Sequence, residues 1–93
     1  MTNKIWYTYI LRCADNTLYT GISTDISRRE SEHNGKNLGA KYTRARQPVK
    51  VVYQESHRTR SDAAKREFAI KKLTKDNKEL LINNSDAKQC GKN

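Results

Sequence analysis

IWYTYILRCADNTLYTGIS, residues 5–23, combines two short apolar runs with a turn signal between them. The first run, 5–13, is rich in aromatic and β-branched residues, is too short for a helix, and carries apolar residues at both parities. We therefore expect a strand that is covered on both faces. Asp15 and Asn16 supply turn chemistry, and the second run, 17–23, predicts another strand. The stretch as a whole predicts a β-hairpin.

The rest of the chain predicts one more strand and three helices. Good N-cap residues at 23–25 precede the first helix, and Thr59 with Asp62 has the spacing of a capping box. The predicted elements after the hairpin are a helix over 24–34, a loop over 35–48, a strand over 49–56, a helix over 61–73 and a last helix over 74–82. This order, β-β-α-β-α-α, predicts an α+β fold with a small antiparallel sheet. We expect one domain over 1–83 and a flexible polar tail over 84–93.

Composition and charge restrict the function. The chain has 93 residues, 34 % of them hydrophobic, which supports one domain with one modest core. Its net charge of +9 indicates either nucleic acid as a partner or a basic but inert surface. No apolar run is long enough to span a membrane, and no basic helix has a broad apolar face, so we expect no membrane partner. Cys13 and Cys90 have neither metal nor disulfide spacing, which predicts a reducing, cytoplasmic location.

The helix over 24–34 lacks the apolar stripe that a core-facing helix needs. Ile26 is its only large apolar residue, and Arg29 and His33 lie on the face that Ile26 shares. A solvated histidine on a helix is the simpler explanation of this pattern. In a chain with so little core to spare, however, an arginine and a histidine on an inward face indicate a functional site.

The helix over 61–73 repeats the anomaly with a carboxylate. Glu67 lies four residues after Ala63 and three before Ile70, inside an apolar arc made of Ala63, Ala64, Phe68, Ile70 and Leu73. A carboxylate that faces a core costs several kcal/mol unless it is paired or binds a metal. Two explanations stay open: a partly buried salt bridge, for which Arg29 is the candidate partner, and a metal-binding or catalytic role.

Three tyrosines of the hairpin, Tyr7, Tyr9 and Tyr19, would lie between these two helices. A buried tyrosine needs a partner for its hydroxyl, and Tyr, Arg, His and Glu around one cavity could cleave a phosphodiester. The arginine would stabilise the pentavalent phosphate, the glutamate would hold a divalent cation, and a tyrosine or the histidine would move the proton. Each residue alone is a weak signal, since most strand tyrosines and helix histidines are structural.

The combined spacing resembles that of the GIY-YIG nuclease superfamily. YTY at 7–9, YTG at 19–21 and then Arg29 carry the resemblance, with ten residues from Tyr9 to Tyr19. WYTYILRCADNTLYTGISTDISRRESEHN together with REFAIKKLTK is more closely similar to the small single-domain UPF0213, or YhbQ-like, group of predicted endonucleases. The resemblance extends from residue 4 to about residue 82.

The resemblance implies a three-stranded antiparallel sheet flanked by helices, and a divalent-metal-dependent nuclease. It implies catalytic roles for five residues, which are Tyr9, Tyr19, Arg29, His33 and Glu67. Glu67 would also be the ligand of one Mg²⁺ or Mn²⁺ ion, and Gly21 would lie where the backbone must approach closely.

Three positions depart from the family pattern. Tyr7 stands where the first half-motif has glycine, Ile22 stands where repair members often have lysine, and Asn83 is a weak match to an asparagine that some members carry. The chain also shows no appended DNA-binding domain. We therefore expect specificity and affinity to be low or to be supplied by a protein partner.

These observations predict a metal-dependent endonuclease that hydrolyses phosphodiester bonds in nucleic acid, with DNA as the expected substrate. Tyr9, supported by Tyr19 or His33, would activate water; because the pKa of free tyrosine is about 10, Arg29 and the metal would have to favour the phenolate. The basic residues expected to contact flanking phosphates are Lys36, Lys41, Arg44, Arg46, Arg58 and Arg60.

Two alternatives remain at the level of sequence. The first is a catalytically weak nucleic-acid-binding module that keeps the fold and the charge. The second is a structural adaptor in which Glu67 and Arg29 form only a salt bridge.

Overall fold

Three antiparallel strands form the central sheet: β1 is Trp6–Arg12, β2 is Leu18–Ser23 and β3 is Lys50–His57. Their order is β2-β1-β3. The computed structural model describes residues 4–35 and 41–91, with side chains as far as residue 84. The predicted three-stranded α+β architecture is confirmed.

The central strand β1 is buried on both faces, as its apolar residues at both parities predicted. One face carries a core cluster of Tyr9, Leu11, Cys13 and Val49. The opposite face carries a second cluster of Ile10, Ile70 and Ile82. Residues 8–11 thus alternate between two small cores, which explains why this run is almost continuously buried.

The turn between β1 and β2 uses the predicted residues. Asn16 has a φ of 69°, in the left-handed region that asparagine tolerates. The Asp15 carboxylate accepts hydrogen bonds from the backbone N–H of Thr17 (3.2 Å) and from its hydroxyl (2.6 Å). This local chemistry closes the hairpin.

The helices are α1, Ile26–His33; α2, Lys41–Arg44; α3, Arg60–Lys71; and α4, Lys75–Gly91. Asp25 caps α1 and Thr59 caps α3 through side-chain oxygens, as predicted. The short α2 lies where a loop was expected, and α4 continues well past residue 82; the flexibility of the tail stays a prediction. In the part of the chain that the structure describes, no helix is long and apolar enough to cross a membrane.

A bidentate ion pair joins helix α4 to the central strand β1. Both guanidinium Nη atoms of Arg12 lie 2.7 Å from the carboxylate oxygens of Glu79. The hydrogen bond from Arg12 lowers the pKa of Glu79 to about 2. Ile82, one turn further along the helix, packs into the second core cluster.

The polar helix α1 covers the open edge of β3. Oδ1 of Asn34 accepts the N–H of Val49 (2.7 Å), Nδ2 of Asn34 donates to the carbonyl of Val49 (3.0 Å), and Oε2 of Glu30 accepts the N–H of Val51 (2.8 Å). Side chains of α1 and its C-cap thus make the backbone hydrogen bonds that a fourth strand would make at this edge. One polar face of the helix therefore has a structural role, separate from the face that carries Arg29 and His33.

Helix α3 packs on the sheet through Ala63 and Ile70, which are buried. The hydroxyl of Thr8 donates to the carbonyl of Ala63 (2.9 Å). Including Phe68 in the apolar arc was wrong, because Phe68 is 63 % exposed. It lies two residues from Ile70, which places it about 200° around the helix, on the solvent side.

Candidate active site

A hydrogen bond between a strand and a helix forms the centre of the site. The hydroxyl of Tyr9, on β1, lies 3.0 Å from Nε2 of His33, in the last turn of α1. Both residues are buried. The structure therefore brings together two of the predicted catalytic residues, and each satisfies a polar atom of the other.

A third buried group, Thr43, completes this hydrogen-bonded chain from α2. Its Oγ1 lies 2.8 Å from Nδ1 of His33. Sequence reasoning missed Thr43, because α2 is a four-residue helix inside a polar segment with no apolar periodicity. Both ring nitrogens of His33 are consequently engaged, and the tautomer of His33 is coupled to its two hydroxyl neighbours.

Gly21 leaves the space that the Tyr9 ring occupies. The two residues are cross-strand partners, and a Cβ atom at position 21 would lie 2.7 Å from Oη and 2.8 Å from Cζ of Tyr9. The expected close approach is present, and the group that approaches is the Tyr9 side chain itself. The glycine of the YTG motif is thus required by side-chain packing, not by an unusual φ angle.

Arg29 lies on the inward side of α1, as predicted, and is half-buried. Its Nη1 donates to Oε1 of Glu32 (2.8 Å). Its positive charge and a hydrogen bond also act on the hydroxyl of Tyr9, and both lower the pKa of that hydroxyl. Arg29 therefore connects the buried Tyr9–His33 pair to the more exposed surface of α1.

Burial fixes the protonation states of the central pair. It raises the pKa of Tyr9 to about 12, more than Arg29 lowers it, and the charges of Tyr19 and Glu67 act in the same direction as burial. Burial and the neighbouring Arg29 together lower the pKa of His33 to about 4. At neutral pH Tyr9 is protonated and His33 is neutral. The expectation that Arg29 favours the phenolate has the correct direction, but in the free protein burial outweighs it.

Two aromatic rings extend from the central pair towards solvent. The ring of Tyr19 lies 5.2 Å from that of His33, and the ring of Tyr42 stacks on Tyr19 at 5.9 Å. The guanidinium of Arg46 covers Tyr42 at 3.9 Å from the ring centroid and also bonds to Asp15 (3.1 Å). Tyr19 is therefore part of the site, whereas Arg46, predicted to contact phosphates, is also held by protein groups. Tyr42 was not predicted.

Glu67 is half-buried on α3, and its carboxylate lies 3.2 Å from Nζ of Lys71, one turn away. Its charge raises the pKa of Tyr9, so the carboxylate is within electrostatic reach of the central pair. Arg29 and Glu67 each have an ion-pair partner on their own helix. Because Lys71 is half-exposed, its ammonium group is an easily displaced cation beside the carboxylate.

The other predicted basic residues lie on α2 and around the start of α3. Lys41 and Arg44 are exposed on α2, the helix that contributes Thr43. Arg58 and Arg60 are exposed before and at the start of α3, and the Arg60 guanidinium lies 5.7 Å from the Trp6 ring. Lys36, also predicted, lies outside the described residues.

The three departures from the family pattern have different settings. Tyr7 is half-buried on the same face of β1 as Tyr9, and Ile22 is half-buried opposite Thr8. Asn83 lines a hollow of about 380 Å³ together with Arg12 and Lys50, at the place where α4 meets the sheet. Neither Arg12, Lys50 nor Asn83 contributes to the hydrogen-bonded group of Tyr9, His33 and Thr43. The structure therefore does not support a site role for Asn83.

Comparisons with known proteins identify the family that this chain resembles. The GIY-YIG catalytic domain model matches residues 5–80. A UPF0213 protein of Desulfotalea psychrophila is 54 % identical over 81 residues, covering 87 % of this chain and 74 % of that protein. A UPF0213 protein of Listeria monocytogenes is 49 % identical over 80 % of this chain and 82 % of its own.

Two solution NMR structures also resemble the chain. A UPF0213 protein of Bacillus halodurans superimposes with a TM-score of 0.54 and 38 % identity, covering 85 % of this chain and 83 % of that one. A protein of E. faecalis superimposes with a TM-score of 0.55 and 45 % identity, covering 87 % and 88 % of the two chains. The sequence and the fold thus point to the same group of proteins.

Proposed function

The chain belongs to the GIY-YIG catalytic domain family, among the UPF0213 proteins, and from this premise we propose that it is a divalent-metal-dependent endonuclease that hydrolyses phosphodiester bonds in DNA. The observation that carries the proposal is the convergence of Tyr9, Tyr19, Arg29 and His33, which come from three elements, on one cluster. A purely structural core would fill this space with apolar side chains, as the opposite face of the sheet does.

Arg29 is the group that binds the scissile phosphate. It is half-buried and already held by Glu32 and Tyr9, so little reorganisation is needed when negative charge develops on the phosphate oxygens. A preorganised charge of this kind acts mainly on the transition state. The neighbouring Arg28 is far more exposed and is suited to a flanking phosphate.

Tyr9 and His33 move the proton of the attacking water. With Nδ1–H of His33 donated to Thr43, Nε2 is the acceptor for the hydroxyl proton of Tyr9. As the water oxygen attacks phosphorus and the P–O bond to the leaving oxygen breaks, the water passes a proton to the Tyr9 oxygen and the Tyr9 proton moves to Nε2. Because the pKa of Tyr9 is about 12 and that of His33 is about 4, this transfer is coupled to the attack and does not precede it.

Glu67 fits a single-carboxylate ligand of Mg²⁺ or Mn²⁺. Among the described residues, no group of three or more His, Cys, Asp and Glu side chains could hold a metal ion. Mg²⁺ often binds through one or two carboxylates and keeps waters and substrate phosphates as its other ligands. When bound, the ion would neutralise phosphate charge and stabilise the leaving oxygen.

Substitution of Glu67 tests this function and separates it from a binding module. Glu67→Gln keeps size and hydrogen bonding but loses the charge, so cleavage should vanish while the fold and DNA affinity persist. Glu79→Gln, which loses a carboxylate paired with Arg12 instead, should still cut. The assay uses single-stranded, nicked and branched DNA and RNA with Mg²⁺, Mn²⁺ or EDTA, and melting curves for each variant.

The outcomes divide clearly. A stable Glu67→Gln protein that still cuts contradicts the metal role. A wild-type protein that binds every substrate and cuts none with either metal supports the catalytically weak binding module instead.

A further inference from the structure

Apart from Arg28, the residues that line a hollow at the beginning of α1 have no part in the function proposed above. The hollow measures about 570 Å³ and is lined by Lys4, Ile5, Tyr7, Thr24, Asp25 and Arg28. A neighbouring hollow of about 290 Å³ shares three of these residues and adds Ile26, Ser27 and Gln54. Both are open grooves at the beginning of α1, and Tyr7 lines both of them.

The Tyr7 side chain is half-buried, and it contributes to the walls of both grooves. Its cross-strand partners are Ser23 on β2 and Ser56 on β3. Serine side chains are short and cover little of a neighbouring aromatic ring, which leaves part of Tyr7 to line the grooves. An aromatic ring at the wall of an open groove can stack on a nucleobase.

Tyr7 and Tyr9 point to the same face of β1, because side chains alternate along a strand. They are separated by about 6.6 Å along the strand axis, which is on the scale of one nucleotide step. A nucleic acid whose phosphate lies at Arg29 and Tyr9 would therefore place the next base over Tyr7.

We propose that Tyr7 and this hollow form a subsite for a single unpaired nucleobase next to the scissile phosphate, with the base stacked on the Tyr7 ring. The proposal rests on the nuclease function proposed above and names a further contact for its substrate. A phenol ring stacks on any base, which gives affinity with little sequence preference. A base must leave its duplex partner to enter such a groove.

The polar groups around the hollow suit the rest of that nucleotide. The guanidinium of Arg28 is only loosely paired, at 3.8 Å from Glu32, and its side chain is 62 % exposed, so it can contact a flanking phosphate. Thr24 and the exposed Gln54 supply a hydroxyl and an amide at the walls. Such groups can hydrogen-bond to base edges.

The test measures binding without cleavage, in EDTA. A set of ten-nucleotide DNA strands carries one abasic position each, moved along the strand. Wild-type protein should lose about 5-fold to 150-fold in affinity when the stacked base is missing, and Tyr7→Phe should behave alike. Tyr7→Leu, which keeps an apolar side chain but no aromatic face, should bind intact and abasic strands equally. With 2-aminopurine at the same position, fluorescence should be quenched by wild type and by Tyr7→Phe only.

Several results would overturn the subsite. These are a wild-type affinity that is the same for every abasic strand, a loss that persists in Tyr7→Leu, and quenching that does not depend on Tyr7. If Tyr7→Leu fails to melt cooperatively, Ser27→Leu extends an aliphatic side chain with no aromatic face into the smaller hollow from an exposed helix position, and it should remove the abasic effect instead. The test needs no cleavage, so it can be carried out even if the protein never cuts DNA. If the protein is a nuclease but shows no abasic effect, the subsite is refuted and the nuclease function is not.

Discussion

Replacing Gly21 with alanine should disrupt the site by pushing against Tyr9. A Cβ at this position would lie 2.7 Å from Oη and 2.8 Å from Cζ of Tyr9, whereas ordinary contact begins at 3.4 Å. The ring must therefore retreat by about 0.7 Å. It is buried and hydrogen-bonded to His33 at 3.0 Å, so it cannot move by this amount without disturbing that bond.

The energetic cost is worked from two opposing effects. Overpacking of a closed core typically lowers the free energy of unfolding by about 1–3 kcal/mol. Alanine in place of glycine raises it by about 0.4–1 kcal/mol, because alanine restricts the unfolded chain. We expect a net loss of about 1–2 kcal/mol, which lowers the melting temperature by roughly 5–15 °C in a domain of this size. The turnover number should fall as well, because the Tyr9–His33 distance changes.

The assay is a double-mutant cycle by thermal and urea unfolding. In a Tyr9→Leu background the ring is absent, so Gly21→Ala should cost nothing or stabilise slightly. Gly35→Ala is the matched control, since its Cβ would meet only backbone carbonyls, the nearer being that of Glu32 at 3.3 Å. A Gly21→Ala protein as stable as wild type, or one that loses equal stability in both backgrounds, would refute the packing explanation of the YTG glycine.

Three further predictions concern charge. Arg29→Ala should lower the turnover number by roughly 10² or more, while Arg28→Ala should mainly weaken substrate binding. Steady-state kinetics measure both effects. If the two variants behave alike, Arg29 is an ordinary phosphate ligand. The double variant Lys41→Ala, Arg44→Ala should bind with a shallower dependence of log affinity on log salt concentration. The slope should fall by about 0.7–0.9 for each phosphate that the variant no longer neutralises. A wild-type affinity that does not change with salt concentration would contradict a nucleic-acid partner. Because the pKa of His33 is about 4 in the folded protein and about 6.5 when unfolded, the unfolded chain binds the extra proton between these values. Stability should therefore fall as pH decreases from 6.5 to 4, by up to about 3 kcal/mol, and His33→Asn should remove this slope in urea melts at successive pH values.

Local signals account for the elements that were predicted correctly. The hairpin follows from aromatic and β-branched runs around Asp15 and Asn16, whose turn chemistry acts within a few residues. The caps at Asp25 and Thr59 are equally local. The spacing from Tyr9 through Tyr19 to Arg29 carried the resemblance to the GIY-YIG family, and the resemblance implied that these residues share one site.

Non-local contacts account for what was missed. The four-residue α2 is too short to be stable alone, and the contact of Thr43 with His33 is one of the interactions that fix it. The outward position of Phe68 depends on which side of α3 meets the sheet, and residue type alone does not give this. Burial of Tyr9, which decides its pKa, is also a property of the assembled fold.

The polar character of α1 now has two physical explanations that act on different faces. Glu30 and Asn34, four residues apart, hydrogen-bond to the backbone at the edge of β3. Arg29 and His33 each precede one of them by one residue, and they interact with Tyr9. A leucine at any of these four positions would lose the hydrogen bonds or the charge that the position supplies. Because the edge contacts fix the helix against β3, they also fix the height and rotation at which His33 meets Tyr9. The sheet edge and the Tyr9–His33 pair are therefore coupled through one rigid helix, and the precision of the site depends on hydrogen bonds made on the other face of α1.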